Sequence, residues 1–521
     1  MTNDTTNAPA VPRRSPLMPT IGLSLWLIFV LVLSLSQWRL VMINADGDPS
    51  LHWRIGQWMI EHRAVIRADH FSHARVEAPL ISKEWLGEVL FAAAGDALGW
   101  NGIVLLSAVL IATSLWFLHR LLLAEGNDLV VSTALTLLAA MTCSVHWLAR
   151  PHLFTHLFAV IFLWQLRLFD RGKLSTRALL LRLAPLMVLW ANLHGAFFTG
   201  FVIIATFLAG NAAMLFNGHP GARLAVRSKL AGLTLLAVVC TLATLLNPNG
   251  WRLAAHVIEF LRDPILARYT NEFRSPNFHT NGVHGFLVEL ALVALMLVLL
   301  RPVLDATDVV VVGTWGLLGL LAARNVPIFA IMVTPILAQH LTLCLQEPRD
   351  LALLKRYWKI CGNVSEVNRR ADGRCLVGIV LVMLLLVVAK PRLVGGEPIL
   401  ATELLTNRFP VAAVQFLQQT SSPVHGEMFN DYGWGGYLML ALPAHKVFVD
   451  GRNDFYGSEL IHDFDTVNRA HPGWDDVLQK YKVGWTILPR AHPLNELLAL
   501  RKDWSLSYTD AVTAIYSHHL E

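Results

Sequence analysis

Apolar stretches of about 17–25 residues, each able to cross a hydrocarbon core of about 30 Å as an α-helix, recur along this chain. They fall near residues 20–43, 101–122, 129–147, 152–169, 179–194, 196–216, 230–246, 283–300, 307–323, 326–345 and 375–390. In lipid every backbone N–H and C=O must be satisfied inside the segment, so runs of this kind fold as helices. Of 521 residues, 55% are hydrophobic and 15% charged, whereas a soluble protein carries about 25% charged residues. The net charge of +5 comes largely from loop arginines. It reads as an orientation signal and not as a nucleic-acid footprint, so no nucleic acid partner is expected. The expected fold is an α-helical polytopic membrane protein of about 11 transmembrane helices, with a C-terminal extracytoplasmic α/β domain.

Three segments follow. Residues 1–19 are polar and expected to be a disordered cytoplasmic N-terminus. Residues 20–390 form the transmembrane domain, with a large first outside loop at 44–100. Residues 391–521 form the extracytoplasmic α/β domain. The run 20–43 is too long for a signal-peptide core and no small-residue cleavage site follows it, so it reads as a retained first span.

Alternate loops carry opposite signatures. The loop 171–182 has Arg171, Lys173, Arg177 and Arg182 and no acid; the loop 217–229 has Arg223, Arg227 and Lys229 and no acid. The loop 346–374 has seven Lys/Arg against four Asp/Glu. The positive-inside rule puts these three in the cytoplasm, hence the N-terminus inside and the C-terminus outside. The long outside segments are then 44–100, with eight acids and five bases, 247–282, and the tail from 391, with fifteen acids and ten bases. None of the five cysteines lies in an outside loop, so no extracytoplasmic disulfide framework is expected there.

The first outside loop opens with "ADGDPSLHWRIGQWMIEH" (45–62), where Leu51, Ile55, Trp58 and Met59 recur at helical spacing. Residues 82–98 repeat the pattern, with Ser82 as N-cap. Both segments read as interfacial amphipathic helices. Asp48 sits just after the first span, where a carboxylate can hold a divalent cation, accept a proton, or simply cap the helix, as Asp46 also can.

Four blocks resemble one family in chain order. "DPSLHWR" (Asp48 to Arg54) is similar to the Asp-Pro-x-x-(Asn/His)-x-Arg motif of oligosaccharyltransferase catalytic subunits, members of the GT-C superfamily of membrane glycosyltransferases. "YTNEFRSPNF" (269–278) resembles that family's Ser-x-Ser-Glu or Thr-x-x-Glu element, with Glu272 as the acid. "LLAARNVPIFAIMVTP" (320–335) places Arg324 where the family has an arginine. An arginine at membrane depth costs ~2.5–3.5 kcal/mol on insertion scales and is a functional candidate on that ground alone. "FNDYGWGGYLML" (429–440) resembles the Trp-Trp-Asp-Tyr-Gly block, and "KVFVD" and "WTILP" (485–489) read as buried strands of the tail domain.

The resemblance implies a glycosyltransferase that moves a sugar or oligosaccharide from a polyprenyl-(di)phosphate donor to a protein or glycan acceptor at the outer membrane face. It implies catalytic roles for Asp48, as metal ligand and acceptor activator, and for Glu272. His52 would support Asp48, Arg54 and Arg324 would contact phosphate, and Asp431 with Tyr432 would form an acceptor wall. The expected cofactor is a divalent metal, Mn or Mg, and the expected location a bacterial-type inner (plasma) membrane, with membrane lipid as surroundings.

Two departures matter. Phe429 and Asn430 replace the two tryptophans of the Asp-Tyr-Gly block, which opens the way to a different acceptor. Where the family has a second acidic motif, this chain has "WLARPHLFTH" (147–156). There His152 and His156, four apart, can share a helical face as metal ligands, and imidazole suits Mn or Zn better than Mg. In the other reading these histidines, with Arg150, face the donor phosphate and no metal is required. Glu84 and Glu88 are alternative second carboxylates, and His194, in "WANLHGAF" (190–197), can reach the same cavity. A transporter or flippase of lipid-linked glycans, or a non-catalytic assembly protein of envelope polysaccharide, would show many of the same features.

Overall fold

The computed structural model describes residues 15–217, 223–263, 270–300, 304–346, 352–393, 400, 402–419 and 424–519. Among the described residues seven helices are long and apolar enough to cross a membrane. Five of them are α5 (Trp100–Ala124), α6 (Leu129–Cys143, extended by a 3-10 turn to His146), α7 (His152–Asp170), α8 (Thr176–Leu193) and α10 (Arg223–Ala243). The others are α9 (Phe198–Asn217) with its preceding turn, and the segment Ala323–Gln346. Shorter apolar helices at His284–Val298, Ala306–Leu321 and Arg374–Ala389 stand at the remaining expected places.

The first span is not one helix. It is α1 (Ile21–Leu35) and α2 (Trp38–Asn44), bent by 65°. Ser36 adopts extended backbone, and its hydroxyl accepts the N–H of Trp38 at 3.3 Å. Arg39 donates to the freed carbonyls of Leu35 and Ser36 at 3.1 and 3.0 Å. Unbroken hydrophobicity conceals this break, because it is made by one serine and one arginine side chain. Residues 15–19, expected to be disordered, instead form β1 (Ser15–Pro19), paired in parallel with β2 (Ala371–Asp372).

Residues 44–100, expected to form the first outside loop, contain the two expected helices, α3 (Asp48–His62) and α4 (Trp85–Leu98). Ser82 is not the cap of α4; its hydroxyl donates to Glu88 at 3.1 Å. The apolar face of α3 does not lie on lipid. Leu51, Ile55 and Met59 are buried in the core of the C-terminal domain.

That domain is built on a four-stranded mixed sheet, β3 (Glu427–Asn430), β4 (Val483–Pro489), β5 (Trp504–Thr509) and β6 (Thr513–His518), in the order β3-β4-β6-β5. β3 and β4 are parallel and the other pairs antiparallel. The expected strand at 485–489 is the buried β4. The expected strand "KVFVD" is not in the sheet: Val447 bridges to Ser72 of the first loop. The Asn430 side chain accepts the N–H of Phe448 and donates to the carbonyl of Val449, both at 2.8 Å, replacing a strand partner. The first loop and the tail thus fold as one unit over the end of the bundle.

Candidate active site

Between that unit and the bundle lies a cavity of about 750 Å³. Asp48, His52, Glu84, His152, His194, Glu272, Arg324 and Tyr432 all line it, although they are spread from residue 48 to residue 432. The turn from α2 to α3 supplies Asp46 and Asp48. Gly47 is the N-cap of α3, Pro49 fits its first turn, and Asp46 accepts the N–H of Asp48 at 3.0 Å. A 3-10 turn, Asn271–Phe273, carries Glu272, and another, Ala323–Asn325, carries Arg324.

Arg150 joins these acids. Its Nη1 is 2.9 Å from Asp48 Oδ2 and 2.9 Å from Glu272 Oε1, and its Nη2 meets Asp46 Oδ2. His146 Nε2 lies 3.2 Å from the same Glu272 oxygen. Burial pushes the Asp48 carboxyl up to about 6, with His52 pulling the other way and Glu272 and Asp450 adding to the rise. The Arg150 contact also favours the ionised form, so Asp48 is a carboxylate at neutral pH. Burial would raise Glu272 as well, but His146, Arg150 and Arg324 hold it well below the usual range.

A second group of charges faces them. His52 lies between Glu84 (3.9 Å) and Glu88 (3.5 Å). Burial works against the imidazolium, yet Glu88, Glu84 and Asp48 together hold His52 above its usual value. Burial pushes Glu84 up to about 7, opposed by His52 and Lys83. His194 Nδ1 accepts from the Thr155 hydroxyl (2.8 Å) and the Ala196 N–H (3.3 Å), so its proton is on Nε2, 3.8 Å from Glu84. Lys83 binds Asp454 at 2.7 Å, and His256 binds the other Asp454 oxygen at 2.8 Å. Among the described residues Arg324 has no ion pair; its guanidinium stacks on Phe273, 4.5 Å from the ring centroid.

Three expected residues, Arg54, Asp431 and His156, are not in the lining. Arg54 is outside the lining, 3.6 Å from Glu61 and against the Phe71 ring. The Asp431 carboxylate accepts the Gly433 N–H at 2.8 Å, which shapes the turn that presents Tyr432. The pair His152 and His156 gains a third member: ligand nitrogens of His146, His152 and His156 lie within 4.8 Å of one another. Nε2 of His152 donates to the His146 carbonyl at 2.9 Å, leaving Nδ1 with the lone pair. Sequence reasoning missed His146, Lys83, His256 and Asp454. Lys83 adjoins Glu84 in "SKEWLGEVLF" and His146 stands four residues before Arg150, the one local signal for either.

The fold is similar to those of solved glycosyltransferases. The archaeal oligosaccharyltransferase AglB from Archaeoglobus fulgidus, in complex with an inhibitory peptide and a dolichol-phosphate, superposes with a TM-score of 0.56 at 13% identity. The match covers 90% of this chain and 69% of AglB. The apo form of the Archaeoglobus fulgidus oligosaccharyltransferase gives 0.54 over the same shares, again at 13% identity. The arabinofuranosyltransferase AftD from Mycobacteria gives 0.52 at 14% identity, covering 98% of this chain and 41% of AftD. No family model and no curated protein matches this sequence. At such identities the likeness is one of fold. Together with the long apolar helices, this likeness supports a multi-pass membrane protein, with the cavity at one end of its bundle.

Proposed function

We propose that the protein is a membrane glycosyltransferase that moves a sugar or oligosaccharide from a polyprenyl-(di)phosphate to a protein or glycan acceptor at the outer face of the membrane. One observation carries this reading: Asp48, Glu272 and Arg324 line one cavity between the bundle and the C-terminal domain. An acceptor hydroxyl or amide attacks the anomeric carbon and gives its proton to the Asp48 carboxylate. The bond from that carbon to the phosphate oxygen breaks, and the lipid phosphate leaves with the electron pair. Arg324, which makes no ion pair among the described residues, meets the charge that grows there. Glu272 orients the acceptor, and Tyr432 walls it in.

The same reading puts the cavity and the 391–521 domain outside a bacterial-type inner membrane. α7 begins at the cavity with His152 and ends at Asp170, beside Arg171 and Lys229 of the basic loops. The positive-inside rule then assigns the opposite end to the cytoplasm. A reporter active only in the cytoplasm, fused after residue 521, should stay silent; a strong signal rejects this orientation.

The divalent ion expected at Asp48 does not fit the donor set, because Arg150 already engages Asp46, Asp48 and Glu272. Of the expected Mn or Zn, the nitrogen donors at His146, His152 and His156 fit an ion of the Zn kind, which would lend those rings a local positive charge. No step above passes through it.

The deciding experiment is turnover of a labelled polyprenyl-phosphate sugar by the purified protein. Asp48→Asn should lower transfer ~10²–10⁴-fold, as expected for loss of a catalytic base, and leave the protein folded. Transmembrane movement of the intact lipid-linked sugar without bond cleavage would instead identify a flippase.

A further inference from the structure

Three carboxylates that share one small volume repel one another and need a cation. Where water screens them weakly, like charges held together destabilise the site. Asp46 and Asp48 come from the start of α3 and Glu272 from a turn far along the chain, yet all three contact Arg150. Clusters of carboxylate oxygens are the usual sites of Mg and Mn. Here a guanidinium stands among them.

Arg150 is fixed in that position. The N–H of Ala149 bonds the Met42 carbonyl at 3.0 Å, which ties the segment to α2. The Arg150 N–H bonds Leu148 at 2.9 Å, and its carbonyl accepts from Leu153 at 3.2 Å in the first turn of α7. Its side chain is 15% exposed. A planar guanidinium has five donors, stays charged at any working pH, and can serve several oxygens at once. These are the properties a structural cation needs.

We infer that Arg150 is the resident cation of the Asp46–Asp48–Glu272 centre, held where a divalent ion would sit, and that this centre works without a bound metal. This deepens the glycosyl-transfer reading and rests on it for the purpose of the centre. The covalently attached charge fixes the Asp48 and Glu272 carboxylates for an acceptor, and Arg324 is left for the donor phosphate. The imidazole trio is a separate matter, since its nitrogens are not those that Arg150 engages.

Mn2+ titration of the purified full chain in detergent, read by electron paramagnetic resonance, tests this without donor or acceptor. In otherwise unaltered protein, Asp48→Asn should leave the number of Mn2+ ions bound and their affinity unchanged. Arg150→Met, which keeps the length and removes the charge, should gain one Mn2+ site, and Arg150→Met with Asp48→Asn should lose it again. The inference is overturned if Asp48→Asn weakens Mn2+ binding by the wild-type chain by about tenfold or more, as loss of a ligand or its support does. It is overturned equally if a folded Arg150→Met gains no site. Should that variant fail to fold, Arg150→Gln replaces it, and the comparison of wild type with Asp48→Asn still decides. Failure of sugar transfer in the turnover assay would sink the functional reading and leave this result standing.

Discussion

Gly451 lies directly against the carboxylate of Asp48: a Cβ at position 451 would fall on Asp48 Oδ1. The C-terminal domain thereby shapes one side of the cavity at its central acid. The adjacent Asp450 and Arg452 belong to a buried network that joins the domain to the first loop.

Gly451→Ala should therefore damage activity more than stability. The clashing atom is the free end of a side chain, so the Asp48 carboxylate can turn aside without moving the backbone. Displacement of about 1 Å costs on the order of 10²-fold in rate. Transfer of labelled donor should fall by that order while the thermal unfolding midpoint in detergent stays put. Wild-type turnover in the alanine variant would mean that Asp48 does not act from the position seen.

The pH dependence follows from Asp48. Its carboxyl is raised from 3.8 to about 6. As the proton acceptor it works ionised, so kcat/KM should rise with pH to a plateau above about 6, with a tenfold loss per unit well below. Stability runs the other way. A raised carboxyl favours the folded state where it is protonated, below about 3.8, and that contribution is lost as pH rises through 6. A rate profile flat from pH 5 to 8 would remove Asp48 from the proton-accepting role.

Arg452 donates to Asp69 at 2.7 Å and to Asp450 at 2.6 and 2.8 Å, and both acids are fully buried. Arg452→Met should destabilise the protein by ~3–5 kcal/mol, because it strands two buried charges. Thermal melts read the loss, and adding Asp69→Asn should recover part of it. No change on Arg452→Met would mean the first loop and the tail do not depend on this network.

Arg324→Ala should weaken donor binding, not acceptor use. A hydrogen bond to a charged group is worth ~1.5–3 kcal/mol, about 10–150-fold in affinity. KM for the lipid-linked sugar should rise by that amount at an unchanged acceptor KM. An effect confined to the acceptor would place Arg324 on the other side of the reaction.

Spans and motif order are local properties of the sequence, and they carry the architecture. Apolar runs specify helices because lipid offers backbone groups no other partner, and seven of the expected spans reappear as long apolar helices. "DPSLHWR", "YTNEF" and "LLAARN" likewise name Asp48, Glu272 and Arg324 through their resemblance, in chain order, to the motifs of one family. What each polar side chain bonds to is not local. The bend after Leu35, the diversion of "KVFVD" to the first loop, and the use of Asp431 in a turn all depend on one partner distant in sequence or on one side-chain hydrogen bond. Arg54 faces Glu61 and Phe71 because α3 packs its apolar face into the tail domain, a choice hydrophobic periodicity cannot reveal. The largest such decision concerns Arg150. Its sequence neighbours suggest a histidine-rich helix end, and only the close approach of Asp46, Asp48 and Glu272 makes it a cation among carboxylates. That approach is an energy of long-range packing, set by charges that share no stretch of chain.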